Sequence, residues 1–432
     1  MSQTQASEAQ PRRGSERVVV VGSGIAGLTA SIALARAGRT VTMVTKGLGG
    51  LQLSQGTIDI LGYAGDDKTL VTSPLDAIDQ VGDEHPYRRT GRDAVEQGVA
   101  LLREVLGDDA LVGSTNTNDL YPTAVGALRP TALVPRSLAN GKAEQGKKYV
   151  IVGIHELKDY HPELIAGNIA RTPLPDGDPA PARHVSFSLP AREHEIDISP
   201  VQYARAMDDP GFRARFAAAV KQVVEPGETV GVPAVLGLND PTVYDEVEKA
   251  VGAPVFEIVS QPPSVVGMRL NQALLAAAKA ARVRVMLGAE VTGLEVDGGR
   301  ASAVKVHTAG GERRITTDWV VHCGGGFESG TLAVDSYNKV SETVFGLPVS
   351  ATDATQLIHG DFWGKPQPLF QVGLRTDEGM RVLGDDGQPV YPNVLAAGGV
   401  LAGSIRWDEK SGEGIALGSA MKAAATITEG AN

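Results

Sequence analysis

The sequence predicts an α/β fold: a doubly wound, largely parallel sheet assembled from discontinuous segments, with a large α/β domain inserted between them. The apolar run Val18-Val19-Val20-Val21 passes straight into Gly22-Ser23-Gly24-Ile25-Ala26-Gly27. The next residues, Leu28 to Ala35, set Leu28, Ile32 and Ala35 on one side of a helix. Two more apolar runs end in glycines far downstream, at 319–327 and 394–400. Separated strand-into-glycine units of this kind build one sheet from distant pieces, and the long stretch between the first and second carries strand and helix signals of its own.

The first unit reads as strand, glycine turn, helix. Gly22 permits the tight turn, Gly24 lets the backbone approach a pyrophosphate, and Gly27 lets helix and strand pack closely. The free amides and the positive end of the helix then face the phosphates. This is a Rossmann-like dinucleotide site.

Ala37-Gly38 stops the helix, and Val41–Thr45 reads as the second parallel strand. Glycines 47, 49 and 50 form a loop running into Gln52-Leu53-Ser54-Gln55-Gly56-Thr57, residues 66–92 are turn-rich, and 93–106 read as helix. From 107 to 200 the pattern is irregular, with Val150–Ile154 as a buried strand and 172–183 as a Pro/Asp/Ala loop. Helix follows at 200–222, then strand at 232–237 and helix at 241–251. After Pro262-Pro263-Ser264 the pattern gives a helix at 270–281. Strands at 284–287, 289–296, 301–308 and 313–316 follow, broken by Gly298-Gly299 and Gly310-Gly311 as hairpin turns. Gly412-Glu413-Gly414 opens a closing helix at 415–428. The expected organisation is a disordered leader at 1–15 and a nucleotide-binding domain from 16–64, 262–345 and 366–432. A substrate or interaction domain is inserted at 65–261, and 346–365 connect.

The 432 residues exceed the usual size of a single core, so two or more lobes are expected. A net charge of −11 and the absence of basic runs argue against nucleic acid as a partner. Cys323 is the single cysteine, so this chain alone can form neither an internal disulfide nor a cysteine-ligated iron–sulfur cluster. Eight histidines are scattered without metal-helix spacing, and no metal site is expected. Arg12-Arg13 precede an apolar run as in an export signal, but that run is the nucleotide motif itself. The expected location is cytoplasmic, with membrane contact only peripheral or through partner subunits.

The late pieces select the cofactor. Nicotinamide sites are usually completed within one βαβ region, whereas FAD sites of the large reductase type add segments near the C-terminus. Here those are Asn393–Val400 and the helix opening near Gly414, whose N-terminus can set positive potential by the pyrimidine edge of the isoalloxazine.

Several stretches then carry a resemblance across nearly the whole chain after residue 16. They are Val19–Gly65, Pro262–Leu270, His322–Leu332, Gly360-Asp361-Phe362-Trp363, Gln367–Gly373, Thr376-Asp377-Glu378 and Asn393–Gly403. The chain resembles the B-subunit family of anaerobic glycerol-3-phosphate dehydrogenases, flavoproteins related in their nucleotide half to succinate dehydrogenase and fumarate reductase. The resemblance implies oxidation of sn-glycerol 3-phosphate to dihydroxyacetone phosphate, with electrons passing towards quinone. It also implies two partners of the same complex. One is the A subunit, which is a larger flavoprotein. The other is the C subunit, which carries iron–sulfur clusters and docks the complex on the membrane. Family descriptions often give FMN; the pyrophosphate-type turn argues for FAD, and FMN stays as the alternative.

The expected cofactor cradle is Gly22, Ser23, Gly24, Ile25, Ala26 and Gly27, then Thr45, Lys46, Gly47, Ser54, Gln55 and Gly56, then Gly324, Gly398, Gly399, Gly414 and Ile415. Two acids common in such sites are absent. Thr45-Lys46 stands where Asp or Glu would bond the ribose, and Gly398-Gly399 where Gly-Asp or Gly-Glu is frequent. Thr45 can offer a hydroxyl to the ribose. Lys46 can face a phosphate, which keeps a soluble NADP-dependent reductase open, or lie on the surface. The missing acids also keep open a non-catalytic assembly role. No motif marks a catalytic base. Arg269 and Arg375 are candidate phosphate cations, with structural arginine as the competing reading, and His359 and His322 are candidate bases, with a packed histidine as the competing one. Cys323 reads as a packed thiol.

Overall fold

A computed structural model describes residues 15–175, 177–361 and 364–430. The leader expected at 1–15 therefore lies, except for Ser15, outside the described residues. Five parallel strands make the main sheet in the order Arg284–Leu287, Thr40–Thr45, Arg17–Val21, Trp319–His322, Val394–Ala396. The register pairs Val20 with Met43 on one side and Val321 on the other, and Val321 with Leu395. The valine run is buried because a central parallel strand is covered on both faces. The three separated glycine-ended strands are thus neighbours in one sheet.

One layer of helices covers this sheet. Helix Ile25–Arg36 packs against the closing helix Gly412–Glu429, which packs in turn against helix Tyr87–Leu106. Small residues set that distance: a Cβ on Gly98 would lie 2.7 Å from Leu417 Cβ. Beyond the sheet lies an antiparallel three-stranded sheet, Glu290–Asp297, Arg300–Thr308 and Gly311–Thr316. Buried Asn393 ties the two together. Its amide donates to the carbonyls of Ala301 and Asp318, both at 2.8 Å, and its carbonyl accepts from Ala301 N at 3.0 Å.

A second parallel sheet runs in the order Ala182–Phe187, Lys148–Ile154, Glu228–Pro233, Val255–Ile258, and has its own core from Tyr149 to Ile258. The earlier part of the 65–261 stretch packs differently. Leu75, Tyr87, Val95, Leu102 and Leu133 belong to the core of the main sheet.

Most elements lie near where the pattern sets them, but the strand read at 232–237 runs over Glu228–Pro233 and the helix read at 200–222 is two, Pro200–Met207 and Pro210–Val223, split at Asp208-Asp209. Three other differences are instructive. Strand Ala182–Phe187 begins inside the stretch read as a loop, because Arg183 and His184 interrupt its apolar pattern. Helix Tyr87–Leu106 starts early with a break at Gly91, where φ is 70°. Helix Val265–Ala280 begins five residues sooner than its apolar period indicates, because Ser264 Oγ caps it by accepting from Gly267 N at 3.0 Å.

Candidate cofactor and substrate site

In open parallel sheets, ligands bind beyond the carboxyl ends of the strands. There the chain places the turns at 22–24, 323–327 and 397–400 and the start of the closing helix. In the first turn the glycines divide their work as the sequence implies. A Cβ on Gly22, where φ is 100°, would lie 2.3 Å from Cys323 O, and one on Gly27 would lie 2.1 Å from Gly22 O. A Cβ on Gly24 would meet nothing within 4 Å. The open side of the turn is therefore at the middle glycine. Helix Ile25–Arg36 starts there with no side-chain cap and no acid in its first turn, so its amides are free for an anion. Ile25 and buried Ala26 form that first turn. This arrangement fits a dinucleotide pyrophosphate.

Ser23 Oγ and Thr45 Oγ1 lie 2.9 Å apart and reach the carbonyl of Gly47 at 3.0 and 2.6 Å. The Thr45 hydroxyl expected for the ribose thus holds the loop after its own strand. Of the two readings of Lys46, facing a phosphate or lying on the surface, the structure gives the second, with its Nζ 2.9 Å from Glu290 Oε1.

The loop that follows rests on helix Val265–Ala280. Ser264 N donates to Gln52 O at 2.8 Å, and a Cβ on Gly267 would lie 2.0 Å from Leu51 O. Ser54 Oγ donates to Leu51 O at 2.9 Å and accepts from Gly56 N at 3.1 Å, with Gln55 part-buried between them. The loop carrying Ser54, Gln55 and Gly56 is thereby held in one shape beside the first glycine turn. Arg269, on the same helix, is not a free phosphate cation. Its guanidinium makes two bonds, of 2.7 and 2.9 Å, to the carboxylate of buried Glu257, whose Oε1 also accepts from Leu236 N.

The late turns meet the first. Gly398, at φ 77°, sits against Ala26, and its amide donates to Ser419 Oγ at 2.9 Å. Gly324 lies beside Thr331 and His322, and Thr331 Oγ1 donates to its carbonyl at 2.7 Å. The guanidinium of Arg406 fills the space a side chain on Gly399 would need and donates to Glu328 at 3.0 Å; Glu328 in turn accepts from Gly326 N at 3.2 Å. Arg406 and Glu328 thus clamp the two late turns where Asp or Glu is common after Gly398. The stretch Gln367–Gly373 runs alongside: Leu374 N donates to Val400 O and Gly403 N to Gln371 O, both at 2.8 Å.

At the start of the closing helix lies a cluster that no sequence motif marks. Gly414 N donates to Asp59 O at 2.9 Å, and Gly414 itself packs against Tyr87 and Ile60, followed by buried Ile415. Buried Asp59 accepts from Thr57 at 3.1 Å, from Arg129 Nε at 2.8 Å, and from Arg129 Nη2 and Thr131 Oγ1. Beside this pair is Glu413. Burial first, and the Asp59 charge second, push its carboxyl up to about 7 against the pull of Arg129. Desolvation and Arg129 lower the ammonium of neighbouring Lys410. Two carboxyls and two cations are therefore in electrostatic contact at the helix end that the sequence assigns to the flavin. Glu413 is visible in the sequence as an acid in a first helical turn. Its neighbours Asp59 and Arg129 are 70 residues apart from each other and far from Glu413 in the chain, so spacing cannot show them.

The other candidates have structural partners. His322 is fully buried, with Nε2 3.2 Å from Glu342, whose carboxylate also accepts from the Val344, Phe345 and Leu347 amides. Burial opposes the charge on Glu342, but the His322 bond and these amides outweigh it and hold the carboxyl below its usual range. His359 is held by Gln367, which accepts from His359 N at 2.8 Å and donates to its carbonyl at 3.1 Å. Arg375 is half exposed, 3.5 Å from Glu84. Burial pushes the Cys323 thiol up to about 12, as for a packed, unreactive group. Among the described residues no group of side chains is placed to hold a metal ion, and no helix is long and apolar enough to cross a membrane.

Comparison with known proteins agrees with this geometry. Residues 17–415 match the family model described as FAD binding domain. A protein of Halobacterium salinarum, named as the probable B subunit of anaerobic glycerol-3-phosphate dehydrogenase, is 30% identical over 95% of this chain and 97% of its own. The B subunit of the enzyme from Pectobacterium atrosepticum is 29% identical over 96% and 99%. The solved 3-ketosteroid delta1-dehydrogenase of Sterolibacterium denitrificans aligns over 96% of this chain and 100% of its own, with a TM-score of 0.45 and 12% identity. With the glycine turn open at Gly24 and a family model spanning nearly its whole length, the chain belongs to the FAD binding domain family, within the B-subunit group of anaerobic glycerol-3-phosphate dehydrogenases, and FAD is its cofactor.

Proposed function

We propose that the chain is the flavoprotein subunit of an anaerobic glycerol-3-phosphate dehydrogenase complex that oxidises sn-glycerol 3-phosphate to dihydroxyacetone phosphate. Its partners are the larger flavoprotein of the complex, the A subunit, together with the C subunit, whose iron–sulfur clusters pass electrons to quinone at the membrane. The observation that carries the catalytic part is the Glu413–Asp59–Arg129 cluster at the start of the closing helix. FAD, when bound, supplies the acceptor for the two electrons leaving C2 of the substrate.

The chain's own residues supply the rest. The 22–27 turn and the helix amides hold the pyrophosphate, and the 46–56 loop and the 398–399 turn enclose the ring system. Glu413, poised near neutrality, accepts the proton of the C2 hydroxyl; Arg129 stays on Asp59, and Lys410 is the cation left at this helix end for the anionic substrate. The surface pair of Lys46 with Glu290 speaks against the NADP reading. The reading as an assembly component draws on the missing acids, and flavin content tests it too. The experiment is to purify the chain with its partner subunits, identify the released flavin by chromatography, and add sn-glycerol 3-phosphate under anaerobic conditions. FAD and substrate-dependent bleaching are expected. FMN alone would overturn the cofactor part, and bound FAD that this substrate does not bleach would overturn the substrate part.

A further inference from the structure

At the opposite end of the main strands from the glycine turns, a cavity of about 330 Å³ opens between one face of the parallel sheet and the edge strand Gly311–Thr316. Its lining changes character along the wall. Arg284 and Arg313 stand with Thr40, Thr42 and Thr316, above a floor that includes Met286. The cavity also touches Arg17 and Arg314, but those two are spent: Arg17 is bound to Asp318 at 2.7 Å and Arg314 to Glu295 at 2.5 Å. Arg284 and Arg313 have no carboxylate partner among the described residues, in a chain with 51 acidic residues against 40 basic ones. Two guanidinium groups without a carboxylate partner thus border one concavity, where an anion can meet both.

We propose that this cavity binds a small organic phosphate. Guanidinium groups bond phosphate oxygens in pairs, the threonine hydroxyls can donate to the remaining oxygens, and the Met286 side takes the carbon skeleton. The volume is at the lower end of that of small-molecule sites, which suits a three- or four-carbon phosphate. Because the strands separate it from the Gly22–Gly27 turn, it is a site distinct from the cofactor and substrate site. A phospholipid headgroup has the same chemistry as a free organic phosphate, so the experiment must separate the two.

The test uses the full chain and its R284A/R313A variant, both changes lying at exposed residues. Calorimetric titration with 3-phosphoglycerate is expected to show, beside any binding at the substrate site, a saturable component in the wild-type chain that is weakened at least tenfold in the variant and by added salt. Co-sedimentation with phosphatidylcholine vesicles containing phosphatidylglycerol, reduced in the variant while 3-phosphoglycerate fails to bind, would assign the same cavity to a lipid headgroup. Equal binding of 3-phosphoglycerate by the two proteins, or no variant-sensitive binding of either probe, would overturn the proposal. Unchanged melting temperature and flavin content in the variant show that the loss is local.

Discussion

At the scale of single residues, the chemistry turns on where a proton can rest near pH 7. A carboxyl raised by burial favours its protonated form in the folded state. Its contribution to stability is therefore present below the ordinary carboxylate range and is lost as pH rises through about 7. Wild-type stability should fall between pH 5 and pH 8 through this group, and Glu413→Gln should flatten that slope in denaturant melts followed across the same range. If Glu413 also accepts the substrate proton, Glu413→Gln lowers kcat by roughly 10²- to 10⁴-fold and removes the acid limb of the pH–rate profile near 7. A flattened stability slope with unchanged kcat would leave Glu413 a structural acid and return the search for the base to the rest of the site.

At the scale of elements, the cradle depends on how helix Val265–Ala280 begins. Ser264 does two jobs: its hydroxyl caps the helix, and its amide donates to Gln52 O in the loop beside the glycine turn. Ser264→Ala removes the cap alone and should cost about 1 kcal/mol in chemical denaturation, with little loss of flavin. An unchanged midpoint would show the helix start to be set by its neighbours instead. The same segment shows what is legible in the sequence and what is not. The glycine-ended strands are readable because each is buried on both faces and so is continuously apolar. The start of this helix is not, because its first turn is fixed by a cap and by packing under Leu51 O, neither of which has an apolar period. The same reason hides strand Ala182–Phe187, where Arg183 reaches Glu228 and gives the element polar residues inside a sheet. In the site, local features such as the roles of Gly22, Gly24 and Gly27 can be read; Thr45, Lys46 and Arg269 cannot, because their partners at Gly47, Glu290 and Glu257 are set by how the loop and the fold close.

At the scale of the whole molecule, two cores must hold one site, and Arg269 joins them. It stands on the helix that carries the 50–56 loop, yet its charge is neutralised by Glu257 on a strand of the second sheet. Arg269→Met would leave a carboxylate with almost no solvent contact and, among the described residues, only the Leu236 amide as support. Breaking such a pair from one side typically costs about 3–5 kcal/mol, whereas replacing both partners with apolar residues is often close to neutral. Arg269→Met should therefore unfold at markedly lower denaturant and release flavin more readily, and Arg269→Met/Glu257→Leu should recover most of the stability. A phosphate-binding arginine predicts the reverse: the single variant would keep its stability and raise KM for the substrate, and the double variant would be no better. Denaturant melts with flavin fluorescence, set beside KM, separate the two. The geometry favours the first outcome, since Nη1 and Nη2 both already end on Glu257 and Nε is buried, so turning this side chain towards a phosphate gives up the contact between the cores.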